Sequence, residues 1–262
     1  MVYAFAGWVD SGYVGAGTIA ALAEQVDPGK RFATLDLTDL LDLQQVRPTV
    51  ELDRGGLRSI AWPQIEMTAG RLGRDVVLAF GPEPSIKWRD VAAALVEASL
   101  RLGVSEAVAV GGMPGFVSHR RPVPVLATAT SRSVAQEIEP LRSDYEGPTG
   151  FQTVVQHALG EAGIRSISLW AQVPQYVAGS VSPPGVRAVL SRLVEIAGVT
   201  VDLRIHDDRC DTYSARLEEG LAERPDVLEI IDRLDAALPQ VASGVELVGE
   251  IERYLRSQPD AE

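Results

Sequence analysis

The chain has 262 residues, 46% of them hydrophobic and 23% charged, enough for one large α/β domain or for a domain with an appendage. A formal net charge of −12, from 36 acidic and 24 basic side chains, argues against sequence-independent nucleic-acid binding, which depends on basic surface. The single cysteine, Cys210, excludes an intrachain disulfide, and no apolar run approaches the roughly 20 residues that span a bilayer.

Acidic charge of this size suits ordinary solubility in a cytoplasm, which is the expected location. Met1 to Ala6 is too short, and lacks the charged start, for a secretory leader. Val2 to Ala6 is an apolar strand. Gly7 to Gly12 is a loop, and Asp10 or Ser11 caps the helix that follows to about Gln25. Phe32 to Leu37 is a second strand. Thr49–Leu52 and Leu57–Trp62 flank Asp53-Arg54-Gly55-Gly56, a hairpin turn. Ile65 to Thr68 adds a short strand, and Asp75 to Phe80 is dense enough for a buried central one. Gly81-Pro82-Glu83-Pro84 breaks it. Apolar residues at 91, 92, 95, 96 and 102, with the small Ser99 in the same series, then mark a helix from about Trp88.

Glu106 to Val110 is the next buried strand, which Gly111 and Gly112 are expected to end. An irregular loop follows, with Pro114, His119, Arg120 and Arg121, and the strand pattern resumes over Val123 to Ala127. A helix spans about Ser131 to Glu139. Another spans Phe151 to Ala162, with Thr149 as its expected cap. Ser166 to Ala171 is a strand, Pro184 to Ala197 a helix, and Val199 to Ile205 is read as a last strand. From Asp211 the pattern is helical. Val227, Ile230, Ile231, Leu234 and Leu238 form one apolar stripe, and Leu247, Val248, Ile251, Tyr254 and Leu255 form a second.

Alternating strands and helices give an α/β fold: a mixed, mostly parallel central sheet with helices on both faces, plus C-terminal helices. The expected division is 1–206 for the α/β domain and 207–262 for the helical extension. Ligands and partners meet such sheets at the carboxyl ends of the strands. The loops expected there gather Trp8, Asp10, Glu83, Trp88, Arg89, Pro114, His119, Arg121, Tyr145, Glu146, Gln175 and Tyr176, which are the candidate binding residues.

Each motif has a structural alternative. Gly15-Ala16-Gly17-Thr18-Ile19-Ala20 fits G-x-G-x-x-A, but a dinucleotide fingerprint sits in the turn directly after the strand. Here the glycines fall inside the helix, where close packing explains them. Either Arg120 and Arg121 bind a phosphate or carboxylate in forked geometry, or His119 and Arg121 pin their loop by hydrogen bonds to backbone and carboxylates. His206-Asp207-Asp208-Arg209-Cys210-Asp211 carries metal-binding side chains, yet adjacent residues on an acidic loop rarely converge on one ion. Glu83 and Glu146 form an acid/base pair only if they meet. No metal and no cofactor are expected.

Taken together, Phe5-Ala6-Gly7-Trp8-Val9-Asp10-Ser11-Gly12, Gly81-Pro82-Glu83-Pro84 with Trp88-Arg89, Gly111-Gly112-Met113-Pro114, His119-Arg120-Arg121-Pro122, Tyr145-Glu146-Gly147-Pro148-Thr149-Gly150 and the run from Leu169 to Val177 resemble the PAC2 family of proteasome-assembly-chaperone-2-like proteins. The resemblance implies a nucleoside phosphorylase/hydrolase-like fold with appended C-terminal helices. It also implies homo-oligomers, a trimer being favoured, and a non-enzymatic chaperone role with proteasome subunits as partners. Some relatives dock through a hydrophobic-Tyr-x tail, which the ending Gln258-Pro259-Asp260-Ala261-Glu262 lacks. The alternative is a binder of, or enzyme on, nucleoside- or phosphate-type small molecules, with Arg121 and His119 for the anion, Glu83 or Glu146 as acid/base, and Tyr176 or Trp8 for stacking. Neither reading has a membrane or nucleic-acid partner.

Overall fold

A computed structural model describes residues 1–7, 9–53, 55–138, 146–177 and 179–236. Seven strands form its central sheet: β1 (Val2–Ala6), β2 (Asp27–Asp36), β5 (Gln64–Leu72), β6 (Arg74–Pro82), β7 (Glu106–Gly115), β8 (Val125–Ala129) and β9 (Arg165–Pro174). Their order across the sheet is β2-β5-β6-β1-β7-β9-β8. β3 (Thr49–Leu52) and β4 (Arg58–Ala61) pair separately as a hairpin. The inner strands β6, β1, β7 and β9 run parallel, while β5 and β8 pair antiparallel with their neighbours.

The period-two alternation of the strands divides the core into two layers. Val2, Ala4, Leu78, Val108, Val110, Ile167 and Leu169 face one side. There they meet α1 (Val14–Gln25) and α5 (Pro183–Ala197), whose Leu22, Val189, Leu190 and Leu193 are wholly buried. Tyr3, Phe5, Ala79, Ala107 and Ala109 face the other side, against α2 (Trp88–Arg101) and α4 (Phe151–Glu161). Each fully buried leucine or phenylalanine contributes about 1.5–3 kcal/mol, so the two layers hold the sheet. A short α3 (Arg132–Glu137) lies after β8, and α6 (Arg204–Leu221) and α7 (Pro225–Ala236) follow α5. The 206/207 position falls inside α6.

Three sequence readings are corrected. Gly111 and Gly112 do not end β7: both stay in register with Trp170 and Ala171 of β9. They are glycines because neighbours come too close for a side chain. A Cβ on Gly111 would lie 2.6 Å from the Trp170 ring, and one on Gly112 would lie 2.0 Å from the Ser11 carbonyl oxygen. Residues 199–203 are not a strand. The Thr200 amide donates to the Leu72 carbonyl at 2.8 Å, so the segment crosses the β5–β6 turn instead of joining an edge. His206 to Asp211 is helix, not loop: it forms the first turns of α6, with His206 buried and Asp207 paired to Arg187 at 2.9 Å. Leu238 and the apolar stripe from Leu247 to Leu255 lie outside the described residues.

Candidate functional site

The parallel strands β6, β1, β7 and β9 deliver their carboxyl ends to one rim, where three polar arrangements form. In the first, the loop after β1 turns Asp10 back onto the N-terminus of α1. Its carboxylate accepts from the amides of Gly15 at 2.6 Å, Ala16 at 3.1 Å and, across the sheet, Gly112 at 3.2 Å. The expected capping role is observed, and it also ties α1 to β7. Gly15 has no room for a Cβ, which would meet the Val110 carbonyl at 2.7 Å; Gly15 and Gly17 are packing glycines of α1.

Partial burial raises the Asp10 pKa above the usual carboxylate value, against the opposing pull of the Gly15, Ala16 and Gly112 amides. A pKa higher in the folded than in the unfolded state means that the native protein binds this proton more tightly. The Asp10 contribution to stability is therefore fully present below the unfolded pKa and is lost as pH rises through the folded one. Denaturation of wild type and Asp10→Asn across the acidic range tests this. The stability difference, wild type minus variant, is expected to fall as pH increases. A difference that is flat or rises with pH contradicts the assignment.

In the second arrangement, Glu83 in the loop after β6 accepts from the Phe151 amide at 3.2 Å. The N-cap residue of α4 is Gly150, with no side-chain cap, so Thr149 does not perform the expected role. A carboxylate from a distant loop serves the helix N-terminus instead, where its charge is favoured. Gly7 leaves the space: a Cβ there would lie 2.2 Å from Glu83 Oε2. Trp88 donates from Nε1 to the Pro84 carbonyl and sets its ring edge-on to Phe151 at 5.9 Å. It is thus a core anchor for its loop. Arg89 and Glu146 are exposed, and Glu83 is committed to α4.

The third arrangement joins the β7–β8 loop to the C-terminal helices. His119 is 5% exposed at its side chain. Its amide donates to Tyr176 Oη at 2.9 Å, its Nδ1 lies 2.7 Å from the same hydroxyl, and its Nε2 lies 3.0 Å from Glu218 Oε1. Partial burial raises the Tyr176 pKa. Arg120 forks onto Glu218, at 2.9 Å through Nε and 3.3 Å through Nη2, and reaches Asp232 at 3.2 Å. Arg121 pairs with the Asp235 carboxylate at 3.3 Å and with its backbone carbonyl. The hydrogen bonds from Arg120 hold the Glu218 carboxyl below its usual range. Of the two readings of His119 and Arg121, the geometry supports pinning of the loop to carboxylates.

Pro114 stays within β7, opposite Val173, and Gln175 sits half-buried beside Tyr176 in a single 3-10 turn. Trp8 and Tyr145 lie outside the described residues. Glu218, Asp232 and Asp235, the carboxylates that Arg120 and Arg121 meet, are not among the residues the sequence singles out. The available signal is an Arg-Arg pair and an acid-rich helical extension, which by composition reads as solvated charge. Beside this network an open cleft of about 570 Å³ lies between α6 and the segment after Tyr176, lined by Val177, Val181, Pro183, Tyr213 and Leu217.

The network is the polar tether of α6 and α7 to the rim. Glu218→Ala removes the acceptor shared by His119 and Arg120. It is expected to speed amide hydrogen exchange in α7 while leaving β7 and β9 protected, because opening is local. Raising the salt should do the same to wild type, since these pairs are solvent-accessible. Unchanged α7 exchange in both experiments contradicts the tether.

A family model described as the PAC2 family matches residues 4–219. Among solved structures, a PAC2 family protein from Streptomyces avermitilis is 35% identical, covering 88% of this chain and 98% of that one, with a TM-score of 0.82. A Mycobacterium tuberculosis proteasome-assembly chaperone homologue is 31% identical, with the same coverage and a TM-score of 0.80. Pyrococcus furiosus PbaB, an archaeal proteasome activator, shares the fold at 18% identity and a TM-score of 0.66, covering 83% of this chain and 92% of that one. No curated protein matches the chain. Among the described residues, no helix is long and apolar enough to cross a membrane.

Proposed function

Because the chain belongs to the PAC2 family, we propose that it is a non-enzymatic, homo-oligomeric protein-binding module of the cytoplasm. In this reading it acts on proteasome subunits as an assembly chaperone, and a trimer is the favoured state. The observation that carries the reading is the engagement of the strand-end side chains. His119, Arg120, Arg121 and Tyr176 bond to one another or to α6 and α7, Asp10 bonds to α1, and Glu83 bonds to α4. Groups that an enzyme would aim at a substrate are here used to join loops and helices into one rim. A joined rim is a firm surface for another protein, since binding then orders few side chains.

The similarity to a proteasome-assembly chaperone homologue supports the choice of partner. The net charge of −12 directs the module to basic patches and makes association salt-sensitive. Affinity capture from a lysate of the source organism, at low and at high salt, tests the reading. Proteasome subunits are expected at low salt and fewer at high salt. Capture of no proteasome subunit under either condition overturns the assignment.

A further inference from the structure

The β3–β4 hairpin stands apart from the seven-stranded sheet. A lone two-stranded hairpin is marginal in water without a surface to pack on. Here β3 is exposed at every position and β4 at all but its last. Val50 pairs with Ile60 and Leu52 with Arg58, so these four side chains share one face. Val50, Leu52 and Ile60 are 63%, 66% and 58% exposed, and Leu57 beside the turn is 73% exposed. Grouped apolar exposure of this kind marks an interaction surface.

Next to the hairpin, and walled in part by its Glu51, Ile60 and Ala61, runs an open groove of about 1210 Å³ beside the α1 side of β2, β5 and β6. Ile19, Leu78 and Phe80 contribute apolar surface to it. Of the charged lining that does not belong to the hairpin, Asp36, Asp39 and Glu66 outnumber Arg31. The hairpin segment has the opposite balance. Residues 47–62 carry Arg47, Arg54 and Arg58 against Glu51 and Asp53, three against two, on a chain of net charge −12. An apolar, slightly basic projection and an apolar, acidic groove therefore belong to the same molecule.

We propose that the hairpin of one copy seats its Val50, Leu52 and Ile60 face in the groove of a second copy, head to tail. The proposal rests on the homo-oligomeric part of the reading above and names its surface. Like charge elsewhere on two acidic copies opposes their approach, and this pairing brings opposite charge together. A head-to-tail contact repeats from copy to copy and gives a closed ring when its rotation closes, an open filament when it does not.

The test compares masses in solution for wild type, a hairpin variant (Val50→Asp with Leu52→Asp, neither of which lines the groove) and a groove variant (Thr34→Arg with Asp39→Arg). All four positions are exposed, so the melting temperature should stay near that of wild type. Wild type is expected to be oligomeric and each variant to fall to the 28.1 kDa protomer. An equimolar mixture of the two variants is expected to form a dimer, because one intact hairpin and one intact groove remain. A hairpin variant that keeps the wild-type mass, or a mixture that stays monomeric, overturns this surface but leaves the homo-oligomer reading standing. A monomeric wild type overturns both and leaves the hairpin to a foreign partner.

Discussion

Gly112→Ala is expected to destabilise the protein by at least about 3 kcal/mol, the severe end of overpacking. The added Cβ would lie 2.0 Å from the Ser11 carbonyl oxygen and 2.9 Å from Val14 Cγ2. Ser11 cannot retreat by rotating a side chain, because the clash is with backbone. Moving the Ser11 segment would also pull Asp10 from the Gly15, Ala16 and Gly112 amides, leaving donors at the α1 N-terminus and in β7 without their carboxylate. At roughly 2–4 °C per kcal/mol for a chain of this size, the melting temperature should drop by about 6–12 °C or more. Gly220→Ala is the control. Gly220 sits in α6, and a Cβ added there would have nothing within 4 Å, so alanine should stabilise by roughly 0.5–1 kcal/mol. A Gly112→Ala protein that melts with wild type would mean that the β1–α1 loop does not lie against β7.

Phe151→Ala should cost about 3–5 kcal/mol. Phe151 is wholly buried, with its ring 4.8 Å from Phe5 and 5.9 Å from Trp88. It closes the α2–α4 layer directly under the rim, so the loss should reach beyond a single cavity. Trp88 would lose the ring it packs on, and with it the loop that carries Glu83. The Phe151 backbone amide that Glu83 accepts from is kept in the variant, so the experiment isolates packing from capping. Phe151→Leu, which refills most of the volume, should recover more than half of the loss. Urea denaturation of the three proteins decides the matter, and equal midpoints would contradict the packing described here.

Much of the framework is legible because it is local. The apolar runs of β1, β6, β7 and β9 and the helical spacing of α2 and α5 each follow from a short window of chain. The layered fold follows from their alternation, and the capping by Asp10 from its place before α1. The failures share a cause. Gly111 and Gly112 read as a strand end because glycine weakens a strand, yet Trp170 and Ser11 occupy the space that their missing side chains leave. Val199 to Leu203 has strand composition, but the sheet offers it no edge beyond the β5–β6 turn. Thr149 has the right residue type for a cap, but Glu83 arrives from elsewhere.

The candidate site divides in the same way. Residue types alone show that His119, Arg121 and Tyr176 belong to polar loops at strand ends, since charged side chains are almost never fully buried unless paired. What those side chains do depends on partners far along the chain: Glu218 lies 99 residues from His119, and Asp235 lies 114 from Arg121. Periodicity in the amino-acid sequence specifies which segments become strands and helices and which faces they bury. Only the tertiary structure decides which carboxylate meets which arginine, because that choice is made when separate elements pack and bring distant charges within hydrogen-bonding reach.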